Sequence, residues 1–209
     1  GVPMLGHGRI YDMSEEFITC DSFEIPKHWF VINGMDFGWD HPQAHIQLAW
    51  DKDSDTFYVV RGWKQRQTLP DVAYGAVKVW AKDVITAWPL DGLQTEKGSG
   101  KQQKKYYEES GFKMCGKQAT WPDGTNGVEA GLFEIIDRMQ KGKFKVFSGL
   151  RDVFEELGQY HRDEKGKIVK IRDDLLDAIR YAYMMRRHAV QYGSIGQKAI
   201  ELEFDSLWN

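Results

Sequence analysis

The spacing of apolar and polar positions changes several times along this chain, and each change marks an element. Trp29-Phe30-Val31-Ile32-Asn33-Gly34-Met35-Asp36 is nearly continuous in apolar, β-forming residues and ends on an acid, which predicts a buried strand. Ala44 to Trp50 and Thr56 to Trp63 predict two more strands, joined by the turn Asp51-Lys52-Asp53-Ser54-Asp55. Strands joined this briefly must run antiparallel. The period then lengthens: apolar residues at 72, 73, 76, 77, 79 and 80 predict a helix opened by Pro70 and Asp71. Val84 to Gly92 predicts a fourth strand, ending near Asp91. A polar loop from Gln94 to Gly100 follows, then a helix over Lys104–Ser110, a short strand over Phe112–Cys115 and an amphipathic helix over Gly127–Lys141. A strand over Phe144–Phe147, a helix over Leu150–Tyr160 and a last helix over Asp173–His188 complete the order. Alternating strands and helices after a three-strand meander imply an α/β domain, a mixed central sheet flanked by helices on both faces.

Residues 1–28 lack periodicity and are expected to be a lead-in or linker, residues 29–188 the domain, and residues 189–209 a tail. The chain opens Gly1-Val2-Pro3 without a basic-then-apolar leader, which reads as a segment of a longer protein. Its 8 Trp, 9 Tyr and 11 Phe exclude disorder over most of its 209 residues. No apolar run approaches the length that spans a bilayer. Cys20 and Cys115 are too few for a disulfide framework or a thiolate zinc site. A net charge of -3 argues against nucleic-acid binding by bulk positive charge alone.

The candidate chemistry is carboxylate chemistry. Asp36 and Asp91 end two predicted strands, and Asp174 and Asp177 sit one turn apart on the last helix, on one face. If the two strands are parallel neighbours, both acids reach the crevice where α/β sheets bind ligands. Gathered carboxylates must take up protons or bind a cation, and oxygen donors without thiols select Mg²⁺ or Mn²⁺. Two such ions would clamp the attacking and leaving oxygens of a phosphodiester. Gly34 and Gly38 flank Asp36 and allow close approach to it. Asp173, by contrast, has the position of a helix cap.

These residues resemble a family. Gly34-Met35-Asp36-Phe37-Gly38-Trp39-Asp40-His41-Pro42 is similar to the opening strand of the nuclease domain of tailed-phage large terminase subunits, and Pro89-Leu90-Asp91-Gly92 to its second acidic position. Tyr160 to Gly166, followed by Asp173-Asp174-Leu175-Leu176-Asp177-Ala178-Ile179-Arg180-Tyr181-Ala182, resembles its closing segment. The resemblance implies an RNase H-like fold and metal-dependent endonuclease activity on double-stranded, concatemeric viral DNA in the host cytoplasm. It implies that Asp36, Asp91 and Asp177 hold the metals, with Asp174 joining them one turn earlier, and leaves Asp173 as an alternative to Asp174. It further implies partners: an ATPase motor domain in the same polypeptide, a small terminase subunit and a portal protein. Gly98-Ser99-Gly100-Lys101-Gln102 lacks the upstream Gly and the Ser/Thr of a phosphate loop, so no motor is legible in this chain.

The remaining features are secondary. Lys97, Lys101, Lys104 and Lys105 follow Asp91 and are either phosphate contacts or a solvated loop. Arg138, Lys141, Lys143 and Lys145 read as a surface stretch. His41 and His45 read as structural, because the second-nitrogen partner that a ligand histidine needs is not legible. Trp39 reads as core. In the tail, Ile200, Leu202, Phe204, Leu207 and Trp208 interleave with Glu201, Glu203 and Asp205, a docking segment or an arm folded back on the domain. The alternatives are a resolvase or recombinase of the same fold, an actin-like nucleotide-binding domain, and a docking module whose acids are only caps.

Overall fold

The structure, a computed structural model, describes residues 8–196. In chain order the elements are β1 (Gly8–Arg9), α1 (Glu15–Ile18), β2 (Thr19–Cys20), β3 (Phe30–Asp36), β4 (Gln43–Asp51), β5 (Thr56–Gln65), α2 (Pro70–Ala81) and β6 (Ile85–Ala87). There follow α3 (Gln103–Ser110), β7 (Lys113–Met114), α4 (Val128–Gln140), β8 (Phe144–Phe147), α5 (Arg151–Gln159), β9 (His161–Arg162), α6 (Asp174–Met184) and β10 (Val190–Gln191). One sheet runs β2-β8-β5-β4-β3-β6-β7, with β10 beside β3. The meander β3-β4-β5 is antiparallel, whereas β6 joins β3, β8 joins β5 and β2 joins β8 in parallel. The expected mixed sheet is therefore present.

Helices cover both faces, and neighbouring residues of β3 show it. Asn33 turns to one face, where its Nδ2 donates to Ala81 O of α2 at 3.4 Å. Gly34 turns to the other, toward Ala178 of α6. Successive strand residues point to opposite sides, so one strand reads out both layers. The core is mainly apolar, with Ile32, Met35, Ile46, Leu48, Phe57, Phe144, Tyr183 and Trp88 all nearly inaccessible. Each is a large apolar side chain worth roughly 1.5–3 kcal/mol when fully buried.

Two expectations need correction. Residues 8–28 are not a free linker: β1 pairs with β9, β2 pairs with β8, and Tyr11, Ile18 and Ile25 are buried. Their partners lie more than a hundred residues downstream, beyond the reach of local periodicity. The fourth strand is only Ile85–Ala87, and Asp91 lies instead in a 3₁₀ turn over Leu90–Leu93. Pro89, immediately before that turn, has no N–H to give a ladder, so the strand stops short of it. The tail begins as β10 on β3, while residues 197–209, with the apolar and acidic positions noted above, lie outside the described residues.

Candidate metal centre

Close approach at two glycines builds the site. A Cβ at Gly34 would lie 2.0 Å from Ala178 O, so only glycine lets α6 settle onto β3. That contact sets the first turn of α6 beside the end of β3, where Asp36 stands. A Cβ at Gly38 would lie 2.5 Å from both His41 O and Pro42 O, so this glycine lets the β3–β4 connection fold tightly back. The fold-back returns His41 to the same spot.

One ligand atom each from Asp36, His41 and Asp174 lies within 4.8 Å of the others. His41 Nδ1 is 2.9 Å from Asp174 Oδ1. Asp174 and Asp177 are buried, at 5% and 7% exposure, while Asp36 is partly exposed. Burial pushes the Asp36 carboxyl well above the usual carboxylate range, and Asp177 and Asp174 push it further. Asp173 is raised by burial and then by Asp177. Two cations answer the cluster. Lys170 Nζ donates to Asp177 Oδ2 at 2.8 Å, and the buried Arg180 donates from Nη2 to Asp177 Oδ1 at 2.8 Å. Neither Asp36 nor Asp174 makes an ion pair with a Lys or Arg among the described residues, although Lys170 draws on Asp36 from farther off. Two oxygen ligands, one imidazole and an excess of negative charge suit a divalent cation. Asp173 Oδ2 adds a buried oxygen without a hydrogen-bond partner, 3.6 Å from Lys170 Nζ. A second trio, His28, Asp51 and Asp53, is largely solvated at the opposite end of the meander and has no buried acid.

Asp91 stands apart. The parallel register Asn33↔Thr86 and Gly34↔Ala87 carries β6 to the same end of the sheet as Asp36. The 3₁₀ turn then leaves the Asp91 side chain exposed, accepting from Gln94 Nε2 at 3.2 Å. Asp173, expected as the helix cap, makes no capping hydrogen bond from its side chain. Glu156 of α5 takes that role. Its Oε2 accepts from Leu175 N at 2.8 Å and Leu176 N at 3.2 Å, and its Oε1 accepts from Lys64 Nζ at 2.9 Å. Burial pushes the Glu156 carboxyl up to about 7 against the pull of Lys64 and the helix amide.

His41, Lys170, Arg180 and Glu156 were missed as site residues from sequence. Arg180 had a signal, three positions after Asp177 on the same helix face. Lys170 and Glu156 had none, because only folding brings them to α6. Trp39 is 56% exposed rather than core, and with Leu69, Tyr106 and Tyr107 it lines a cavity of about 440 Å³. His45 is structural as expected: it is buried and stacked on Phe112 at 4.8 Å.

Three of the four lysines after Asp91 are engaged on the protein itself, while Lys97 is exposed and makes no ion pair among the described residues. Lys101 pairs with Glu109, and Lys104 and Lys105 pair with Glu108. Arg138 and Lys141 are likewise paired, with Asp55 and Asp137. A groove of about 410 Å³ beside Asp174 carries Arg66 and Arg172, neither of which makes an ion pair among the described residues. Arg172 holds left-handed backbone at φ 53, as does Gln67 at φ 49 next to Arg66, a conformation uncommon outside glycine.

Residues 33–186 match the family described as the terminase RNaseH-like domain. The large terminase subunit of Salmonella phage P22 is 55% identical over 189 residues, covering 90% of this chain and 38% of that protein. The large terminase subunit of Enterobacteria phage LP7 is 55% identical over 186 residues, covering 89% of this chain and 39% of that protein. This chain spans about two fifths of the length of these relatives. The solved nuclease domain of the P22 large terminase superposes with a TM-score of 0.87 at 53% identity, covering 92% of this chain and 100% of that one. The nuclease domain of the SPP1 large terminase, solved with bound Mn, shares the fold at a TM-score of 0.52 and 18% identity, covering 75% of this chain and 86% of that one.

Proposed function

The chain belongs to the terminase RNaseH-like domain family, and on that premise we propose that it is a metal-dependent endonuclease cutting double-stranded, concatemeric viral DNA during genome packaging. The cluster of Asp36, His41 and Asp174, with Asp177 behind it, is the observation that carries the reading. In this reading Asp36 and Asp174 hold Mg²⁺ or Mn²⁺, with Asp177, Asp173 or Asp91 completing a set for two ions. Bound there, the ions would supply activation of water and neutralisation of charge on the phosphodiester.

The chain's own residues do the rest. Lys170 and Arg180 hold the Asp177 carboxylate in place, one on each oxygen. The packing of α6 on Gly34 fixes Asp174 against Asp36. Arg66 and Arg172, free of acidic partners among the described residues, face approaching phosphates from the groove beside Asp174. The paired lysines of α3 offer less, so the isolated domain binds DNA weakly. The domain works with an ATPase motor domain of the same polypeptide, a small terminase subunit and a portal protein, in the host cytoplasm. Among the described residues no helix is long and apolar enough to cross a membrane.

Plasmid cleavage by the polypeptide carrying this domain, with Mn²⁺ and with a chelator, tests the reading. Cleavage should require the metal and disappear in Asp36→Ala with the fold intact. Unchanged cleavage in that variant overturns it.

A further inference from the structure

The first turn of α6 carries two acids of the proposed site, Asp174 and Asp177. A helix N-terminus exposes amides that need acceptors, and the local sequence offers Asp173 as the nearest. The structure does not use it: the Asp173 side chain makes no capping bond, and its Oδ2 is buried without a hydrogen-bond partner. The acceptor comes instead from another helix. Glu156 Oε2 takes the N–H groups of Leu175 and Leu176, the two residues that follow Asp174. Glu156 is 1% exposed, and Lys64 of β5 anchors its other oxygen.

Such an arrangement has a cost that a surface cap would not. A fully buried carboxylate must be hydrogen-bonded and paired to be tolerated. An apolar residue on α5 would fill the same space without that demand, and Asp173 would cap the helix. With the cap delivered from α5, the Asp173 side chain is released from the helix end and stays with the acids. The first turn is also tied to the sheet through Lys64, so Asp174 keeps a fixed distance from Asp36 on β3.

We propose that Glu156 is a positioning residue for the metal site: by capping α6 from outside, it sets where Asp174 and Asp177 stand. This rests on the proposed metal-dependent reading of the cluster. The Glu156 carboxylate bonds Lys64 and the amides of Leu175 and Leu176 rather than the acids themselves, so it acts through the α6 backbone.

The test is Mn²⁺ binding, followed by the electron paramagnetic resonance signal of the free ion, on the full polypeptide carrying the domain. Glu156→Met removes both acceptor oxygens at similar volume. It should weaken Mn²⁺ binding roughly 10–100-fold, the range for lost partners that orient metal ligands. Glu156→Gln keeps one carbonyl for the amides and should retain part of the affinity. Val77→Ala, a buried truncation in α2 remote from α6, controls for lost stability and should leave Mn²⁺ affinity unchanged. Amide hydrogen exchange without metal reads the cap directly: Leu175 and Leu176 should exchange faster in Glu156→Met. A folded Glu156→Met that binds Mn²⁺ as the wild type does overturns the positioning role alone. Wild-type protein whose Mn²⁺ binding is indifferent to Asp36→Ala overturns the metal reading, and this role with it.

Discussion

Two charged regions meet near Phe37, and they are built on opposite terms. In α3 and the loop before it, lysine and glutamate answer each other: Lys101 with Glu109, Lys104 and Lys105 with Glu108. Across Phe37, which packs on Tyr107 of α3 at 5.0 Å, stands the acid cluster. There Asp36, Asp173, Asp174 and Asp177 face Lys170 and Arg180, and both cations concentrate on Asp177. Exposed pairs of the first kind contribute about 0–1 kcal/mol each and cost little to form. Buried like charges of the second kind oppose folding unless a cation joins them. The difference separates charge that serves the surface from charge kept in spite of stability, and the second kind marks chemistry.

Removing one acid should break the contrast most. Asp36→Asn should lower metal-dependent cleavage by on the order of a thousandfold, the several kcal/mol that metal-ion catalysis supplies. The same substitution should raise the melting temperature at neutral pH in chelator, because it relieves a partly buried carboxylate that Asp177 and Asp174 repel. Plasmid cleavage and differential scanning fluorimetry read the two effects, and a lower melting temperature would count against stored repulsion.

His41 sharpens the comparison. Its Nδ1 stands 2.9 Å from Asp174 while the residue is otherwise exposed, so it has little packing to lose. His41→Ala should weaken Mn²⁺ binding roughly tenfold, as expected for loss of a group that orients or joins the ligands. Calorimetric titration reads this, and unaltered affinity would return His41 to the surface.

A buried titratable group outside the cluster behaves differently again. Burial pushes His45 down to about 3 from the usual 6.5. The unfolded chain takes up a proton below about 6.5 that the folded chain refuses until about 3, so stability falls as pH drops through that window. The slope is at most about 1.4 kcal/mol per pH unit. Urea unfolding at several pH values should show this slope in the wild type and a shallower one in His45→Gln.

The smallest effect belongs to α3. Converting Lys101, Lys104 and Lys105 to glutamine should cost only a few tenths of a kcal/mol per pair. It should also leave the salt dependence of DNA binding nearly unchanged, because these cations already have partners. A clear drop in that dependence would return the loop to the DNA surface.

The meander was legible because strand patterning is local. Residues 30–36, 44–50 and 56–63 carry their own apolar runs, and α4 and α6 their own helical faces. Asp36, Asp174 and Asp177 were legible for the same reason, being anchored to elements whose ends are marked. Asp91 was legible as a residue but not in its setting, since Pro89 cuts β6 short and Asp91 falls on an exposed 3₁₀ turn. Trp39 failed because an aromatic in a tight connection is not obliged to face the core. The joining of residues 8–28 to β8 and β9 was illegible, because a two-residue strand has no period to read.

The sequence by itself determined the kinds of element, their order and the supply of hard oxygen ligands, since each depends on residues within a turn or a strand of one another. The tertiary structure alone decided which acid has a cation and which lacks one, that His41 returns to Asp174, and that Glu156 caps α6. Those outcomes depend on how closely α6 approaches β3 at Gly34 and on contacts across the sheet. Distance through space, which chain order does not encode, sets the strength of every charge interaction in the site.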